Sequence, residues 1–159
     1  MASQIPALSG AFAALLQDSL LTPAAFALPA AASTSTNSTA IDLGAGDQSA
    51  TSSTGGGPYV IGTIELELNV PALSTTIVPN ASTVTYSVQL STTSNFASIA
   101  TTILYDTVTG AGGVGVAAYQ QRVRLPSTAP RYARFVVTFG AATTTGAAVN
   151  ATPAVYVAA

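Results

Sequence analysis

Apolar and polar residues alternate with a period of two over Tyr59–Val70. Ile64, Leu66, Leu68 and Val70 fall on one side; Thr63, Glu65, Glu67 and Asn69 fall on the other. A strand with one face on a core and one in water has this pattern. Thr83–Ser91 repeats it, with Val84, Tyr86, Val88 and Leu90 inward. Ser98–Val108, Val116–Leu125 and Tyr132–Phe139 read as further strands. A last strand is expected over Ala147–Val157, interrupted near Pro153, because proline cannot donate to a ladder. Turn residues separate these runs: TTSN before Phe96, the glycines of Gly110–Gly115, and Gly140–Gly146. Six to eight strands so spaced predict an all-β domain over residues 41–159, a jelly roll or β-sandwich.

Residues 1–40 follow another pattern. Leu8, Phe12, Leu15, Leu16 and Leu20 have helical spacing, which predicts a short amphipathic helix over 8–21, with Ser9 as N-cap and Pro23 as stop. The Ala/Pro/Ser/Thr-rich stretch that follows reads as an extended N-terminal arm. Phe26 and Leu28 within it favour lying on a neighbour; a disordered tail is the alternative. Residues 45–58 read as a long loop.

Composition adds a second theme. Charged residues make up 6% of the chain, so little repulsion separates one copy from another. Such neutrality suits a permanent assembly better than a free monomer. Ser (16) and Thr (23) supply most of the polarity, which favours strands and turns. The first thirty residues lack the basic start of a signal peptide, and no apolar run reaches the ~18 residues of a membrane span. No membrane partner is therefore expected.

Chemistry is scarce. The chain has no His and no Cys, which removes the commonest general base, the commonest metal ligand and the thiol nucleophile. Ser-His-Asp and Ser-Lys arrangements are impossible within one chain. Glu65 and Glu67 lie about 7 Å apart on one strand face, a spacing that suits a solvated face or ion pairs better than a glycosidase cleft. Gly110–Gly115 matches G-x-G-x-x-G, but a strand follows instead of a helix, and no acid lies downstream. A hairpin loop is the better reading. Asp42 and Asp47 lack further ligands for a Ca²⁺ site. No catalytic residue, cofactor or metal is expected.

The arginines carry the remaining signal. Arg122, Arg124, Arg131 and Arg134 are the only basic residues, and all six acids lie at or before Asp106. Arg122 and Arg124 share one strand face; Arg134 shares its face with Tyr132. Two readings stand side by side. Arg122 and Arg124 could pair with Glu65 and Glu67, which repeat at the same interval. Alternatively Arg122, Arg124, Arg131, Tyr132 and Arg134 form an interface, where guanidinium groups suit carboxylates and ring faces. Four arginines in a chain of net charge −2 make a poor phosphate track, so no nucleic-acid partner is expected.

Four pieces of the chain, in order, resemble the jelly-roll cement (decoration) proteins of tailed-bacteriophage capsids. They are Ser35-Thr36-Asn37 running into Ile41-Asp42-Leu43-Gly44; Val88–Phe96 with its S-x-x-x-x-F ending; Arg122–Pro126 followed by Arg131-Tyr132-x-Arg134; and Thr143–Ala147. They span roughly residues 33–150, and Met1–Gln17 has no counterpart. The resemblance implies a jelly roll that forms homotrimers on the outer capsid surface of the virion and clamps neighbouring capsomers of the major capsid protein. It transfers no active-site residue. A phage fibre, receptor-binding or carbohydrate-binding jelly-roll module is the second expectation.

Overall fold

In the computed structural model, which describes residues 15–19, 21–43 and 64–158, the chain is a two-sheet antiparallel β-sandwich. Its strands are β1 (Leu15–Gln17), β2 (Phe26–Ala27), β3 (Ser35–Asn37), β4 (Ile41–Asp42), β5 (Glu65–Val70), β6 (Thr83–Ser91), β7 (Thr101–Thr109), β8 (Tyr119–Arg124), β9 (Tyr132–Phe139) and β10 (Asn150–Ala158). The first sheet runs β1-β10-β5-β8, with β2 also on β10. The second runs β3-β9-β6-β7, with β4 also on β9.

The pairings are nested. β2 pairs with β10, β3 and β4 with β9, β5 with β8, and β6 with β7. The chain is thus one long antiparallel ribbon, folded at the β6–β7 hairpin and rolled so that successive segments alternate between sheets. That is the jelly-roll arrangement. Its core forms where the alternating faces meet. Leu66, Leu68, Val84, Tyr86, Val88, Phe135, Val137 and Val155 are all fully buried between the sheets.

The strand pattern read from the sequence matches at β5, β6 and β9, and residues 59–63 lie outside the described residues. Two expectations change. Residues 15–17 are a strand paired with β10, and a turn follows in which the Leu21 N–H bonds the Asp18 carboxylate. The helix expected over 8–21 is therefore absent there; residues 8–14 lie outside the described residues. The apolar spacing was compatible with either structure, and an available edge on β10 decides for the strand. The arm from Phe26 to Asn37 also lies on its own sandwich, with strands in both sheets and Leu28 buried in the core.

The second change concerns Pro153. β10 runs through it without a break. The Val155 N–H, two residues on, faces the outer edge and bonds Thr22 Oγ1 at 3.0 Å. By the period of two, the Pro153 nitrogen faces that same edge, between the segments held by β2 and β1, where no ladder bond is required.

The glycine loop is a tight turn. Ala111 bridges to Gly115, Val116 bridges to Leu73, and strand β8 follows. Gly115 has φ +74°, and a Cβ there would lie 2.1 Å from the Leu73 carbonyl oxygen. The glycines serve close backbone approach, not a phosphate.

Candidate interface residues

The outer face of the first sheet holds an ionic cluster. Register places Glu65 opposite Arg124 and Glu67 opposite Arg122. Arg122 donates from Nε and Nη2 to Glu67 Oε2, at 2.9 and 2.7 Å, and its Nη1 lies 3.8 Å from Glu65. Glu67 Oε1 accepts Asn69 Nδ2 at 2.8 Å and Gln120 Nε2 at 3.2 Å. The Arg122 guanidinium also lies 3.7 Å from the centre of the Tyr156 ring. Across from Glu67 in β10 stands Ala154, whose small side chain leaves room for this covering layer.

Burial alone would raise the Glu67 pKa. Bonds from Asn69, Arg122 and Gln120 outweigh it and hold the carboxyl below its ordinary value. The bond to Glu67 in turn holds Arg122 more firmly protonated. Of the two readings of Arg122, the structure thus contains the intramolecular pair.

Arg131 sits just before β9 and forms a two-pronged pair with Asp42 of β4. Nε donates to Oδ1 at 2.8 Å and Nη2 to Oδ2 at 2.9 Å. Its guanidinium is 5.2 Å from the Tyr132 ring. Asp42, weighed above as a cation ligand, is committed to this arginine; Asp47 lies outside the described residues. No group of three potential metal-binding side chains occurs among the described residues.

Arg134 differs. It lies on the outer face of the second sheet, opposite Gln89, and donates from Nε and Nη2 to Gln89 Oε1 at 2.9 and 2.7 Å. Its guanidinium stands 4.3 Å from the centre of the Phe96 ring. Phe96 adopts φ 54°, a left-handed conformation rarely taken by aromatic residues, and its side chain is buried. Desolvation lowers the Arg134 pKa. Among the described residues no carboxylate pairs with it. Sequence reasoning offered Arg134 as a candidate but gave no site role to Gln89 or to Phe96, the latter noted as the end of a matched piece. The cross-strand register and the loop after β6 that bring them together have no short-range signature.

Around Arg134 the face is neutral and rich in hydroxyls. One row crosses all four strands: Ser35, Thr138, Thr85 and Thr107. Ser35 Oγ and Thr138 Oγ1 are 2.8 Å apart, and Thr85 and Thr107 hydroxyls 3.1 Å. The next row is Asn37, Val136, Ser87 and Leu104, the last 60% exposed.

The five candidates therefore fall in separate places. Arg122 and Arg124 lie on one sheet; Tyr132 and Arg134 lie on the other, with Arg131 just ahead of them. No family model, curated protein or solved structure matches the chain.

Proposed function

We propose that this chain is a structural virion protein. It acts as a capsid cement (decoration) protein that docks as a homotrimer on the outer surface of a bacteriophage shell and clamps neighbouring subunits of the major capsid protein. The observation that carries the reading is the outer face of the second sheet. It holds one row of uncharged side chains that reaches the surface across four strands, Ser35, Thr138, Thr85 and Thr107, and beside it exposed Asn37 and Leu104 flanking buried Val136 and Ser87, with Arg134 next to them. Such a face can lie against another protein without charge repulsion or the loss of charge hydration.

The first sheet supports the same reading from the other side. Its Glu65, Glu67 and Arg122 are engaged with one another, so they stabilise the sandwich instead of advertising charge. A clamp needs area, and a stable contact buries about 1,000 Å² or more, which a trimer multiplies. The fibre or carbohydrate-binding alternative gains little here. The large exposed apolar side chains among the described residues are Ile99, Leu104 and Val114, and none is an aromatic platform for a sugar.

Binding of purified protein to expanded shells, in competition with labelled wild type, tests the proposal. Arg134→Ala is expected to weaken docking more than Glu65→Ala. Equal affinities for the two variants, or no binding by wild type, count against it. Near-stoichiometric copy number relative to the coat subunit in purified particles is the expected companion result.

A further inference from the structure

Arg134 and Asp106 each stand without an opposite charge among the described residues. Asp106 lies on the exposed edge strand β7, where its carboxylate accepts the Thr107 N–H at 2.7 Å. Arg134 is pinned by Gln89 and by the ring of Phe96. Its remaining N–H groups are not buried and stranded. The buried polar side-chain atoms lacking a partner among the described residues are Thr36 Oγ1, Ser82 Oγ and the Tyr86 hydroxyl. A planar fork, held rigid on a ring with donors left over, is suited to a carboxylate.

The two cannot meet within one copy. Arg134 faces Gln89, which faces Thr102 of β7, whereas Asp106 faces Tyr86 beyond a bulge. The separation is about 10 Å along the strands and about 10 Å across them. A second copy removes that constraint. β7 has no strand on its outer side among the described residues. Its nine residues include no Lys and no Pro, the usual protections of an exposed edge, and Leu104 stands open on it.

We propose that Arg134 of one copy receives the Asp106 carboxylate of another, joining the β7 edge of the first molecule to the Arg134–Phe96 platform of the second. Each copy gives one acid and accepts one, a head-to-tail contact that leaves neither charge over in a ring whose rotation closes. The inference rests on the self-association in the proposed function and not on any shell.

Sedimentation velocity on the isolated full chain tests it. Wild type is expected to be oligomeric. Asp106→Lys and Arg134→Glu should each weaken association by about tenfold or more, and the double swap should recover most of the loss. The neutral variants Asp106→Asn and Arg134→Gln, checked for folding by circular dichroism, should weaken it in the same direction. A monomeric wild type, single variants that assemble like wild type, or a folded double swap that stays dissociated would each overturn the proposal. A wild type that assembles but binds no shell would instead count against the capsid reading alone.

Discussion

Arg122 places two N–H groups on a single carboxylate oxygen of Glu67, while the other oxygen takes Asn69 and Gln120. Glu67 is therefore buried but fully engaged, on a face that usually belongs to solvent. Removing it takes the partner from Arg122 and Gln120, which are exposed, and from half-buried Asn69. Glu67→Ala is expected to cost about 1–2 kcal/mol in urea unfolding. Glu65, whose contact with Arg122 is longer and wetter, should cost about 0.5 kcal/mol or less as Glu65→Ala.

The same carboxylate shapes the response to acid. Its folded-state pKa lies below its ordinary value of 4.5, so its contribution to stability is complete above that pH. As pH falls through the depressed value, the contribution is lost. Unfolding free energies measured from pH 6 down to pH 2 should drop more steeply for wild type than for Glu67→Gln. Parallel curves would rule out this account.

Two buried tyrosines should respond oppositely to loss of their hydroxyls. Tyr105 donates to the Leu66 carbonyl at 2.7 Å, whereas the Tyr86 hydroxyl is buried with no hydrogen-bond partner among the described residues. Tyr105→Phe is expected to destabilise by about 1 kcal/mol. Tyr86→Phe should be neutral or stabilising by up to about 1 kcal/mol, since its ring stack on Tyr119, 4.2 Å between centres, is retained. Paired thermal melts distinguish the two.

Gly115 and Gly113 offer a contrast in backbone strain. Both have positive φ, but a Cβ at Gly113 meets nothing within 4 Å, while at Gly115 it would collide with the Leu73 carbonyl. Gly113→Ala should cost about 1 kcal/mol, from conformation alone. Gly115→Ala should cost more than about 3 kcal/mol or shift the loop, because the obstacle is backbone. Equal midpoints in denaturant would contradict the close approach.

Leu104→Lys probes the open edge. The side chain is already 60% exposed, so unfolding stability should change by about 0.5 kcal/mol or less. Self-association, read by sedimentation, should fall, since a lysine on an edge strand opposes pairing.

Much of the sandwich was legible because its inner faces are regular. Val84 to Leu90 and Leu66 to Val70 keep a strict alternation of apolar residues, and the burial of those residues follows from it, whereas the burial of Glu67 and Ser87 on the polar side does not. The arm was misread where periodicity is ambiguous: Leu15 and Leu16 satisfy a helix and a strand equally, and only the free side of β10 separates the two. Pro153 looked like an interruption because the gap it faces is made by residues more than a hundred positions away. Matching two-residue intervals offered Glu–Arg pairing as one of two open readings, and the structure contains it for Arg122. The Phe96 platform had no such signal, since it depends on one left-handed residue beyond β6.

Among the described residues, the outermost rung of the rolled ribbon is Leu15 against Ala158. Antiparallel strands joined there come apart bond by bond when their ends are drawn away from each other, as a zipper does. Tension entering through residues 15 and 158 would meet the weakest resistance this architecture can offer. Load carried along the long strands β6, β7 and β9 must instead break many bonds together. In the proposed clamping role, the grip belongs on the broad flank and not on this rung.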